Sequence, residues 1–172
     1  MRPKRFATRT LSVAAAFVDP PASVTERIAS EAALDEIGAI IDPEDDVVML
    51  YLASRGTPDH RLVAEQPPLS LVELAPAGLK QLLDDAGIKW RIIIVSACYA
   101  GGFVEPLKNE RTLILTAADA KHTSFGCGVD SDMTYFGRAY VEHALQRTHS
   151  FTEAFEQAKQ ASPCIIFIDE ID

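Results

Sequence analysis

The 172-residue sequence predicts a single α/β domain, a mostly parallel β-sheet with helices on both faces. Two observations carry that prediction. Apolar runs of strand length at Asp46–Ala53, Trp90–Val95 and Arg111–Leu115 read as strands covered on both sides. Between and after them, apolar residues recur at helical spacing, so that strands and helices alternate along the chain.

The elements follow in order. Arg2, Lys4, Arg5 and Arg9 precede the apolar stretch Leu11–Val18, which reads as a first strand after a frayed start. A secretory signal is the competing reading, but Asp19-Pro20-Pro21 stands where a small-residue cleavage site belongs. Ser23-Val24-Thr25-Glu26 is a capping-box sequence, and Ile28, Leu34, Ile37, Ile40 and Ile41 form the apolar face of a helix ending near Asp42-Pro43. The strand to Ala53 leads into a polar loop from Ser54 to about Pro68. Leu79, Leu82 and Leu83 then mark a helix from Pro76 to Ala86, with Gly87 at the position of a C-terminal cap. After the next two strands, residues 132–145 read as one helix. Ser150-Phe151-Thr152-Glu153 is a second capping box opening a helix to about Gln160, and Cys164–Ile168 is a last strand expected to join the sheet.

Composition narrows the function. Sixteen Lys+Arg against twenty-five Asp+Glu leave a net charge of −9, which disfavours nucleic acid as a partner. No apolar run is long enough to span a membrane. Three cysteines, Cys98, Cys127 and Cys164, without a CxxC pair argue against a disulfide framework and a zinc ribbon. No metal and no cofactor are expected. The odd cysteine count and the poor cleavage site favour a cytoplasmic protein over an exported one.

In parallel α/β sheets the working residues sit at the carboxyl ends of the strands. Three polar segments, 54–60, 96–102 and 116–124, should therefore open on one edge. Cys98 stands out among them. It follows a buried strand and precedes Gly101-Gly102, so a tight turn presents its sulfur among backbone N–H groups. A thiol beside amide donors is what acyl transfer requires. Cys127 and Cys164 lack that context, and Cys164 reads as core.

The segments DVVMLYLASRG (46–56), GIKWRIIIVSACYAGGFVEPL (87–107) and RTLILTAADAKHTSFGCGVDSDMTYFGRAYVEHAL (111–145) resemble the legumain-type family of cysteine peptidases, especially its compact bacterial members. The resemblance implies a caspase-like three-layer sandwich over residues 1–172. It also implies an endopeptidase acting on a peptide or protein substrate. By it, Cys98 is the nucleophile, the amides of Gly56 and Cys98 form the oxyanion hole, and Thr123 and Ser124 line the pocket for the residue before the scissile bond.

Several departures qualify the resemblance. The family places a histidine directly before Gly56, and here Arg55 stands there. A guanidinium stays protonated and accepts no hydrogen bond, so it cannot shuttle the proton. The expectation is an impaired peptidase, with a binding-only pseudopeptidase as the alternative. His60, in the same loop, is the first candidate to take over the role, against the plainer reading of a solvated loop histidine; His122 is read as lining the pocket. Arg138 occupies the position where asparagine-specific members carry an acid, so a preference for asparagine is not implied; as a substrate-binding residue it would favour an acidic side chain, the other reading being that it points to solvent. By the resemblance, family members begin with a strand and helix that lie before Arg5, so this sequence is expected to lack them. The tail 161–172 is atypical; its four apolar residues before Asp169-Glu170 resemble a Walker B strand, but no GxxxxGK[ST] loop accompanies them. A terminal strand with an acidic tail is the favoured reading.

Overall fold

The computed structural model describes residues 26–63, 65–66, 69–70, 73–124, 134–161 and 167–169. The expected strand Leu11–Val18, the start of the first capping box, Cys127 and Cys164 lie outside these residues. In chain order the elements are α1 (Glu26–Ile40), β1 (Val47–Ala53), the short strands β2 (Arg55–Gly56), β3 (Leu62–Val63), β4 (Glu65–Gln66) and β5 (Leu69–Ser70), α2 (Pro76–Asp85), β6 (Trp90–Ser96), α3 (Val104–Leu107), β7 (Thr112–Thr116), α4 (Tyr135–Gly137), α5 (Phe151–Ala161) and β8 (Phe167–Asp169).

The central sheet has the order β1-β6-β7-β8. Strands β1, β6 and β7 are parallel, and Ala53 lies opposite Ser96 as Val95 lies opposite Thr116, so their carboxyl ends meet at one edge. The terminal strand β8 joins beside β7, antiparallel, with Phe167 opposite Thr116.

Alternation along β6 sorts the core into two layers. Ile93 and Val95 face a cluster with Leu34 of α1, Leu79, Leu82 and Leu83 of α2, and Phe103 and Leu107. Ile92 and Ile94 face the opposite way, onto Phe136, Tyr140, Ala154 and Phe155. This gives the three layers that the resemblance implied. Gly87 has φ +68, the left-handed value a helix-ending cap needs.

Four expectations require correction. First, β1 is not covered on both sides: Val48 is buried, but Met49 is 51% and Tyr51 37% exposed, because the second helical layer sits over β6 and β7. Ile40 of α1, placed on the apolar face, is likewise 56% exposed. Second, the loop after β1 holds two small antiparallel ribbons, β2 with β3 and β4 with β5. Third, the stretch read as one helix from 132 to 145 widens after Gly137 into i→i+5 bonding over Arg138–Ala144, with Leu145 N–H donating to Tyr140 C=O. Fourth, the second capping box is half made. Ser150 Oγ accepts Glu153 N–H, but the Glu153 carboxylate accepts from Thr148 Oγ1, which itself caps the Ser150 N–H.

Tyr140 anchors the second layer. Its ring stacks on Phe136 and meets Phe155 edge-on, and its hydroxyl donates to the Phe151 carbonyl at 3.1 Å. Burial pushes the phenol well above its ordinary range, so it stays a neutral donor. Tyr140→Phe should cost about 1 kcal/mol in urea unfolding, and Tyr140→Ala about 3–5 kcal/mol. Equal losses would contradict the packing account.

Candidate active site

The parallel register brings β1 and β6 to the same edge, and the backbone then continues that convergence. Ser54 N–H donates to Ser96 C=O at 3.3 Å, one step beyond the strands. Ser54 Oγ donates to the Val63 carbonyl, tying the β2–β3 ribbon down. The ribbon carries Arg55 and Gly56 across the end of β6. A Cβ on Gly56 would lie 1.9 Å from the Cys98 carbonyl oxygen and 2.9 Å from its carbon. Only glycine allows that approach, and it sets the Gly56 main chain directly against the Cys98 backbone.

Beyond Ser96 the chain turns sharply. Tyr99 adopts the left-handed conformation, φ 54 and ψ 21, which is uncommon for a residue with a side chain. Gly101 then lies against the backbone of Asp119 and Ala120, and Gly102 against the ring of His60. The Cys98 turn is thus clamped between the loops after β1 and after β7.

The clamp extends to the sulfur. Cys98 is half-buried, and its Sγ accepts Ser124 N–H at 3.2 Å, with the Ser124 carbonyl 3.7 Å away as an acceptor for the thiol. Tyr99 N–H donates to His122 C=O at 2.9 Å. Residues 122–124 therefore run alongside residues 98–99.

An imidazole–carboxylate pair stands on that same loop. His122 Nδ1 is 2.6 Å from Asp119 Oδ2, while Asp119 Oδ1 accepts the N–H groups of Lys121 and His122. Desolvation works against the Asp119 carboxylate, but those amides and the imidazole outweigh it and hold its pKa below the usual carboxylate range. With the folded value lowered, the loop gains stability above the ordinary value of about 3.9 and loses it as pH falls through the folded one. Carbon-13 NMR of the Asp119 carboxyl should show a midpoint below that of an exposed aspartate. A midpoint at or above it would break the account.

The structure brings together Cys98, Gly56 and Ser124, and sets Arg55 at the carboxyl end of the strand adjacent to that of Cys98. Arg55 and Thr123 are exposed, whereas Ser124 is buried. Arg138 is exposed, with Nε 3.7 Å from Glu142 one helical turn on. His60 is not a solvated loop residue. It is half-buried, has φ 63, rests on Gly102 and puts Nδ1 3.1 Å from the Tyr99 carbonyl. Sequence reading missed two further features. One is the Asp119–His122 pair. The other is the tie from Ser96 Oγ to Thr134 Oγ1 at 2.6 Å, where Thr134 also accepts the Gly137 N–H at the start of α4.

Other places in the fold compete poorly. A shallow depression of about 340 Å³ at the opposite edge is lined by Asp84, Lys89, Arg91, Asn109 and Arg111, but it holds no nucleophile. Among the described residues, no group of three or more His, Cys, Asp or Glu is placed to hold a metal, and no helix is long and apolar enough to cross a membrane. The sequence profile of the Peptidase C13 family matches residues 29–163, most of the chain and the whole of this edge. No curated protein matches.

Proposed function

The chain belongs to the peptidase C13 family, the legumain-type cysteine peptidases, and from that premise we propose that Cys98 is its nucleophile and that Arg55 slows its turnover. Membership makes it a hydrolase of peptides or proteins. The observation that carries the finer reading is the meeting of three loops at Cys98: Gly56 against its backbone, and the Ser124 N–H on its Sγ.

Each step follows from that contact. The Cys98 sulfur attacks the scissile carbonyl carbon, and the oxygen gains charge beside the main-chain amides of Gly56 and Cys98. The amine then leaves with a proton, and water hydrolyses the thioester. Arg55 stands beside Gly56 where an imidazole would deliver that proton, and a guanidinium keeps its own. Thr123 and Ser124 border the site for the residue before the scissile bond. Arg138, exposed with Glu142 one turn on, would favour an acidic substrate side chain where it reaches the cleft.

The test is cleavage of a mixed peptide library followed by mass spectrometry. The expected result is slow cleavage that Cys98→Ala abolishes. Cleavage surviving Cys98→Ala would overturn the assignment. The alternative, a pseudopeptidase that binds peptides in the same cleft, is favoured by Arg55. It requires saturable peptide binding with no products even at long incubation.

A further inference from the structure

We infer that His122, oriented by Asp119, is the residue that moves the proton in this chain, in place of the histidine that Arg55 displaces. The inference rests on the Cys98 reading and adds the acid–base partner to it. A proton-transfer imidazole needs three things: a place at the nucleophile's edge, one ring nitrogen committed to an orienting group, and the other left to work. The pair meets them. Its loop is bonded to the Cys98 turn at two points, Tyr99 N–H to His122 C=O and Ser124 N–H to Cys98 Sγ. Nδ1 is held by the Asp119 carboxylate, itself fixed by two amides. The side chain is 59% exposed and its bond to Asp119 is made through Nδ1, so Nε2 is the nitrogen left to work. A carboxylate behind the ring also favours the imidazolium that forms during the reaction.

His60 meets fewer of these requirements. Its Nδ1 lies on a neutral carbonyl, that of Tyr99, and its ring is packed onto Gly102. Its neighbour Arg61 is cationic, and Asp59 is engaged by Arg61 and Thr57.

The cycle balances without a further reagent. His122 Nε2 takes the Cys98 proton, the sulfur–carbon bond forms, and the carbon–nitrogen bond breaks as the imidazolium protonates the amine. Water, losing a proton to the neutral ring, then attacks the thioester. The released thiolate takes that proton back.

Peptide turnover by the whole chain tests this, with folding followed by circular dichroism. His122→Ala should lower kcat/KM of the otherwise natural sequence by about 10²-fold or more, with free imidazole restoring part of it. Asp119→Asn should cost less, with an altered pH–rate profile. A loss under twofold in His122→Ala, or a large loss with no imidazole rescue, would overturn the assignment. If His60→Gln removes the activity instead, the base is His60. If the natural sequence cleaves nothing while Arg55→His cleaves through Cys98, the nucleophile stands and His122 falls. Cleavage that survives Cys98→Ala removes both.

Discussion

Arg55→His is expected to raise peptide turnover by about 10²–10⁴-fold over the natural sequence, equivalent to about 3–5 kcal/mol of barrier. The substitution leaves the main-chain frame of the site in place. Arg55 is exposed on β2 and is held there through main-chain pairing with Val63, which a histidine preserves. Gly56 keeps its contact with Cys98, so the proposed nucleophile and oxyanion donors are undisturbed. What changes is that a permanently protonated group gives way to one that can lose and regain a proton at neutral pH. The gain should fall toward the lower end of the range if His122 already carries part of the proton traffic. Peptide hydrolysis by the two proteins side by side, with Cys98→Ala in the Arg55→His background as the blank, measures it. Should the natural sequence already turn over as fast as the variant, Arg55 is not the impediment. A variant that stays inert while folded moves the weight to the binding reading.

Much of this site could be read from the sequence because its main parts are local. Cys98 follows a run of buried β-branched residues, and a strand end followed by glycines implies a turn. The meeting of Arg55 and Cys98 at one edge needed only the inference that their strands are parallel. The Asp119–His122 pair was not legible, because two residues three apart in a loop face each other only once that loop adopts a turn. The clamp on the Cys98 turn was hidden for a similar reason: glycines 56, 101 and 102 answer to backbone and ring atoms far away in sequence. The exposed face of β1 was missed because an apolar run reports that a strand prefers burial, not that a helix reaches it. The turn to i→i+5 bonding after Gly137 leaves no periodic signal in seven residues.

Gly56→Ala and Gly78→Ala, one chemical change at two places, should move stability in opposite directions, and the first should also remove activity. At Gly56 the added Cβ would sit 1.9 Å from the Cys98 carbonyl oxygen and 3.2 Å from its amide nitrogen. Both are main-chain atoms, and the Cys98 turn is held on its far side by Gly101 against Asp119 and by Gly102 against His60. The methyl group cannot be relieved by a rotamer change, so the β2 ribbon or the Cys98 turn must shift. Overpacking against fixed backbone costs at the upper end of what single substitutions do, about 3 kcal/mol. A displacement of about 1 Å at the reacting centre is worth about 10²-fold in rate on its own. At Gly78, inside α2, the nearest atom to an added Cβ is Leu74 Cδ1 at 4.0 Å, an ordinary contact. There alanine adds helix propensity and reduces the freedom of the unfolded chain, for a gain of about 0.5–1 kcal/mol. Urea unfolding of both variants, with peptide turnover measured where each is folded, separates the effects. A Gly56→Ala protein as stable as the parent would mean that the β2 ribbon does not press on Cys98, and the oxyanion role of Gly56 would go with it. A Gly56→Ala protein that is destabilised yet fully active would keep the contact but detach it from the chemistry.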